Sequence, residues 1–194
     1  ALSSAASDVY KRQHNNTIYL QAPLSLRIGN REFIDDENLD IENFMNKMQE
    51  STEATGSAAP SPQSWIDAFE QADIIFAITI SSKLSGSWQS LISAKDMYLE
   101  DYPDKKIFAI DSKMAGSGLA ILALKLAEYI DENLSYEEIC TRITEYHKHI
   151  GLLFVLESID NLVKNGRVNK IVGNIIGKLG IKPVSYTHLT LPTI

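Results

Sequence analysis

The segment that most constrains this chain is Asp73–Ile80, DIIFAITI, an almost unbroken apolar run. A strand with one wet face alternates apolar and polar residues, whereas an unbroken run predicts burial on both faces, as in a parallel sheet covered by helices on either side. A polar turn, Ser81–Ser85, follows this run, and Gly86 leads into a helical stretch through Met97. A second buried run, Lys106–Ile110, ends at Asp111-Ser112 and precedes a helix predicted over roughly Gly118–Glu132. Parallel neighbours need a crossover between them, usually helical, so this alternation predicts an α/β fold: a parallel sheet with flanking helices.

The remaining elements are read from local signals. Thr17–Leu20 and Leu24–Ile28 are short β-prone runs divided by Ala22-Pro23. Gly29-Asn30 predicts a hairpin turn into a strand over Glu32–Ile34. Asp40 is placed to cap a helix whose Ile41, Phe44, Met45 and Met48 share a face. Residues 51–60, small and aperiodic, predict an exposed loop. Ser61-Pro62 supplies an N-cap and a proline at the first helical position, for a helix to about Gln71. Ser135 and Glu138 have the spacing of a capping box for a helix running to His149. Beyond it the pattern predicts a strand over Leu152–Leu156, a short helix over Ser158–Lys164 stopped by Asn165-Gly166, a helix over Asn169–Leu179, and a strand beginning at Ile181–Val184.

Length and charge narrow the function. With 194 residues the chain is one domain, or one and part of another. Its 18 Lys and Arg against 25 Asp and Glu give a net charge of −7, the wrong sign for a protein that neutralises nucleic-acid phosphates. No run approaches the ~18 apolar residues of a membrane-spanning helix. The single cysteine, Cys140, makes neither an internal disulfide nor a zinc framework. These features predict a soluble, cytoplasmic protein. Residues 1–13 and 185–194 lack the patterning of the body, and the first has no apolar core of a secretory signal. Both are read as foreign or disordered tails, which implies a natural chain beginning before His14 and continuing past Val184.

In an open parallel sheet, ligands bind at the carboxyl ends of the strands. The first such end, SSKLSGSWQS (Ser81–Ser90), places a Ser-Gly-Ser step at the start of a helix. Hydroxyls beside unpaired amides and a positive helix end suit a carboxylate or a phosphate; N-capping by one of the serines explains the same pattern. The second, DSKMAGSG (Asp111–Gly118), partly matches a dinucleotide fingerprint, but Ile121 stands where the third glycine belongs, and close packing accounts for the glycines as well. No G-x-S-x-G elbow is present. Of the body's histidines, His147 and His149 sit at the polar end of a helix and read as solvated; Cys140, amid apolar neighbours, reads as buried and structural. Asp35-Asp36-Glu37 reads as a solvated acidic loop rather than a metal site, and no spacing matches zinc, calcium or P-loop binding.

The segments PLSLRIGNREFIDD (Pro23–Asp36), SAAPSP (Ser57–Pro62), ISSKLSGSWQSLISA (Ile80–Ala94), FAIDSKMAGSGLAIL (Phe108–Leu122) and LVKNGRVNK (Leu162–Lys170) together resemble the DegV family. The resemblance implies two α/β domains binding one long-chain fatty acid between them, no cofactor, and no chemistry by the binding protein itself. It implies a fatty-acid kinase as partner, to which the acid's carboxyl group is presented for phosphorylation. It divides the chain into an N-terminal α/β domain over 14–150, lacking its first strand, and the start of a second domain over 151–184. It assigns head-group contacts to Ser57, where the family has threonine, and to Ser85, with Gly86 and Ser87 adding backbone amides. Arg167, in N-G-R-V where the family usually has G-G-R-I, is implied at the head group or the interdomain surface, beside its plain reading as an exposed helix-initiating arginine. Ala115–Ala127 and Ile171–Leu179 are apolar enough to line a tunnel or to form ordinary core. Two other readings stand beside this one: a small α/β enzyme acting on a phosphate- or carboxylate-bearing metabolite through Ser85, and a regulatory or structural module.

Overall fold

The computed structural model describes residues 17–53, 55–155 and 184–186. Strand β1 (Ser25–Ile28) turns through Gly29-Asn30 into β2 (Arg31–Ile34), and Ile28 pairs with Arg31 across the two-residue turn. Gly29 has φ +57° while Asn30 stays negative, the pattern of a II′ turn with glycine first. Helix α1 (Ile41–Glu50) is capped by Asp40, whose carboxylate accepts the Asn43 amide at 3.0 Å. Strand β3 (Thr55–Ala58) pairs antiparallel with the other edge of β1, giving the order β2-β1-β3. Helix α2 (Pro62–Phe69) begins at the predicted Ser61 cap.

Strands β4 (Ile74–Thr79) and β5 (Lys106–Asp111) run parallel, in register from Ile74↔Lys106 to Thr79↔Asp111. Helix α3 (Ser87–Asp101) is the crossover between them. Helices α4 (Ser117–Asp131) and α5 (Tyr136–Lys148) follow β5. The period-2 alternation of the strands sends Ala77 and Ile107 into a core with Phe69, Leu91, Ala94 and Tyr98 of α2 and α3. The opposite face, through Ile110 and the partly buried Phe76 and Ile78, packs on Leu122, Leu126, Tyr129, Ile139 and Ile143 of α4 and α5. This is the expected α/β sandwich of helices about a parallel sheet. A final antiparallel pair joins β6 (Leu153–Val155) to β7 (Val184–Tyr186), so the last strand runs through Ser185 and Tyr186.

Several expectations are corrected. Thr17–Leu20 is irregular rather than a strand and largely exposed, with Ile18 at 61% of its free surface; the first strand begins only after Pro23. Residues 51–60 contain β3 rather than an uninterrupted loop, because pairing with β1 imposes a strand on Thr-Gly-Ser-Ala that its own composition does not signal. Burial of β4 is less complete than its apolar run implies, with Ile74 52% exposed at the strand's start. Helix α3 passes the predicted end at Met97 and continues to Asp101. The segments 158–164 and 169–179 lie outside the described residues, as does Arg167.

Candidate functional site

Because β4 and β5 are in register at their carboxyl ends, the loops leaving them emerge side by side. The chain leaving β4 folds into a tight turn about Ser81, whose carbonyl accepts the Leu84 and Ser85 amides at 2.9 and 3.1 Å. Ser81 is 6% exposed, and its own amide donates to the Met114 carbonyl at 2.8 Å, across to the loop after β5. Asp111 ends β5, and its Oδ2 accepts the Ser82 hydroxyl at 2.6 Å. Its Oδ1 accepts the amides of Ser82 and Lys113, each at 3.1 Å.

The turn delivers Ser85 and Ser87 to the start of α3. Their hydroxyls are 2.8 Å apart, and the Ser87 amide donates to Ser85 Oγ at 3.2 Å. The N-cap, Gly86, carries no side-chain acceptor, so the first-turn amides beyond Ser87 gain no cap from it. Both readings of the Ser-Gly-Ser step therefore have a physical basis: Ser85 takes one helix amide from the position before the cap, and the N-cap glycine offers no side chain to the helix's positive end. Where Ser87 donates to Ser85, the half-buried Ser85 receives two hydrogen bonds and keeps its own proton to give. Gly86 has φ −72°, and a Cβ there would stand 3.7 Å from that of Ala59, so neither backbone nor space demands glycine at this position.

Ser57 lies exposed in β3, paired in register with Leu26. Two and three residues further on, Ala59 and Pro60 meet the start of α3. The Ser90 hydroxyl donates to the Pro60 carbonyl at 2.6 Å, tying the β3–α2 connection to α3 one turn beyond Ser87. The structure thus brings Ser85, Gly86 and Ser87 together and ties the segment carrying Ser57 to the same helix end.

The second loop is structural in its details. Gly118 backs onto Met114, where a Cβ would meet the Met114 Cβ and sulfur at 2.8 Å. Close packing accounts for this glycine. Ser112, fully buried, donates through its hydroxyl to the Met114 carbonyl at 3.1 Å and accepts the Met114 amide at 3.0 Å. His147 corrects its solvated reading: it is half-buried, and its Nε2 lies 2.7 Å from the Ser112 carbonyl, fastening α5 to this loop. That contact spans 35 positions of sequence, beyond any local signal. The anchoring of Ser82 by Asp111 spans 29 positions and is likewise beyond any local signal.

Other candidates fall away from the site. Cys140 is half-buried on α5 rather than fully buried, and burial pushes its thiol pKa up. Asp35 is buried, not solvated as expected, with its amide on the Leu24 carbonyl. No group of residues able to hold a metal ion occurs among the described residues. Of the apolar stretch Ala115–Ala127, Leu122 and Leu126 are core while Ile121 and Leu124 are exposed, at 44% and 45%. Among the described residues no helix is long and apolar enough to cross a membrane.

Comparison with known proteins places this arrangement. The chain matches the family model described as "Uncharacterised protein, DegV family" over residues 3–189. It is 46% identical over 169 residues to a DegV domain-containing protein of Streptococcus pneumoniae, covering 87% of this chain and 60% of that protein. It therefore spans about three fifths of that relative's length. The fold is similar to the crystal structure of the fatty acid kinase B3 protein of Streptococcus pneumoniae loaded with linoleic acid: TM-score 0.82, 46% identity, over 86% of this chain and 59% of that one. It is similar also to a DegV family protein of Eubacterium eligens loaded with heptadecanoic acid: TM-score 0.83, 32% identity, over 95% and 66% of the two chains. An α/β unit with hydroxyl-rich loops at the carboxyl ends of its parallel strands, matched along nearly its whole length by that family's model, belongs to the DegV family.

Proposed function

We propose that this chain binds a long-chain fatty acid, holds its carboxylate with loop hydroxyls, and presents it to a separate fatty-acid kinase in the cytoplasm. The observation that carries the reading is the likeness, at 46% and 32% identity, to two proteins whose crystal structures hold linoleic and heptadecanoic acid. The first of these is a fatty acid kinase B3 protein, which supports a carrier that serves a kinase rather than catalysing a reaction.

The physical chemistry of the loops agrees. A carboxylate needs hydrogen-bond donors and favours positive charge; where Ser87 donates to Ser85, Ser85 has a proton to give, and the N-terminus of α3 adds a positive end. Ser57 is the second hydroxyl, set on the segment that Ser90 ties to the same helix. Gly86 and Ser87 shape the helix start, with the Ser87 amide spent on Ser85 unless a ligand displaces it. Arg167 is the proposed cation at the head group or at the face between domains. A hydrogen bond to a charged group contributes about 1.5–3 kcal/mol. Each buried methylene contributes about 0.8 kcal/mol, so the tail supplies most of the affinity and the head supplies orientation.

Native mass spectrometry of the purified chain, followed by solvent extraction of what it releases, tests the reading. A stoichiometric fatty acid, reduced in Ser85→Ala with the fold intact, is the expected result. Unchanged lipid retention in that variant refutes the head-group assignment, and turnover of a metabolite that disappears with the same change would point to an enzyme instead.

A further inference from the structure

Asp111 has a place in this site that no local pattern reveals. Its carboxylate gathers three donors from two loops: the Ser82 hydroxyl on Oδ2, and the Ser82 and Lys113 amides on Oδ1. A carboxylate has only acceptors to offer, which suits a point where three donors converge; an amide in its place would turn an NH₂ toward the Ser82 hydroxyl. Lys113 stands at φ +54°, a conformation costly for a residue with a side chain, and its bond to Asp111 helps hold it there. Residues 82–84 are exposed; beside the Ser81 turn, the Lys83 amide on Ser81 Oγ at 3.3 Å and the Ser81–Met114 bond at the base, this carboxylate ties the outward half of the loop to the end of β5.

We propose that Asp111 is a positioning residue for the head-group site: it locks Ser82, and through the 81–86 turn it sets where the Ser85 hydroxyl points. The proposal rests on the fatty-acid reading of Ser85. Asp111 touches no ligand in it; the residue acts through Ser82. The requirement is for an acceptor at this spot, so Asp111→Asn, which keeps one oxygen for the two amides and lets the Ser82 hydroxyl turn to accept, retains much of the function that Asp111→Ala loses.

The test uses the full chain with oleate labelled with carbon-13 at its carboxyl carbon, together with hydrogen exchange at individual amides. In Asp111→Ala the Ser82 and Lys113 amides exchange faster, the bound carboxyl resonance shifts, and oleate binding weakens by about tenfold. Asp111→Asn falls between this variant and the wild type. Ser82→Ala, a change at an exposed residue that leaves Asp111 in place, moves the resonance in the same direction by less, and it carries the test if Asp111→Ala does not fold. Unchanged exchange at the two amides overturns the clamp itself. Faster exchange with an unmoved resonance and unaltered affinity overturns the positioning role. Should the wild-type chain take up no oleate, the fatty-acid reading fails on its own, and the clamp is still judged by the exchange of the two amides.

Discussion

The sheets that precede and follow α2 along the chain are held together in different ways. The β2-β1-β3 sheet is antiparallel, its strands are four residues each, and most of its side chains are exposed or half-buried, with Ile28 the buried exception. The β4-β5 pair is parallel, carries helices on both faces, and contributes Ala77, Ile107 and Ile110 to two separate cores. The first depends on backbone pairing and the second on packed side chains. The polar loops of the proposed site hang from the second, which gives them a rigid base on which small hydroxyls are held in fixed geometry.

The widest gap between the regions is expected from emptying a core position. Leu91→Ala, at a fully buried site between α3 and the sheet, should cost about 2–5 kcal/mol, whereas Ile34→Ala on the exposed face of β2 should stay within about 0.5 kcal/mol. Chemical denaturation of both variants measures the difference, and equal losses would end the distinction. Glycines sharpen it. Gly118→Ala drives a methyl into Met114 and should destabilise by about 1–3 kcal/mol. Gly56→Ala in β3 meets open space, and removing a flexible residue from a strand makes it neutral or stabilising by up to about 1 kcal/mol.

Smaller effects follow from local devices. Ser135→Ala removes a capping box in which the Ser135 hydroxyl faces both Glu138 and its amide, at a cost of about 1 kcal/mol in the same denaturation assay. Hydrogen bonds from the Ser135 side chain and backbone hold the Glu138 pKa below its ordinary value of 4.5. A lowered carboxylate pKa stabilises the fold fully above that value, and the contribution is lost as pH falls through the folded pKa. The gap between wild type and Ser135→Ala should therefore narrow on acidification below about pH 4.5, measured as unfolding midpoints across that range. The smallest effect is expected at Lys113→Gly. This relieves a positive φ but adds freedom to the unfolded chain, for a net gain below about 1 kcal/mol in unfolding free energy.

The same contrast explains what the sequence discloses. The caps at Asp40, Ser61 and Ser135 are legible because donor and acceptor lie three residues apart. The β4 and β5 runs are legible because burial on two faces demands apolar side chains in succession. Strand β3 is not, since Thr55–Ala58 owe their conformation to β1, 27 to 33 positions away in register. In the candidate site, Ser85, Gly86 and Ser87 are visible as a pattern of hydroxyls and glycine at a helix start. The turn that carries them is tied at Ser82 to Asp111 and at Ser81 to Met114, and His147 reaches the neighbouring loop from α5; these are products of packing that no spacing announces.

The parallel pairing of β4 with β5 also sets the order in which the molecule can mature. The β1–β2 hairpin closes over two residues, but Ile74 meets Lys106 only after the whole of α3 has been threaded between them. Contacts so far apart along the chain carry a larger loop-closure cost and form late. The loops that follow these strands have no fixed shape until that late step is complete. A chain still folding on the ribosome would thus lack the proposed head-group site until β4 and β5 have paired, so ligand capture there would report on completed folding rather than assist its first steps.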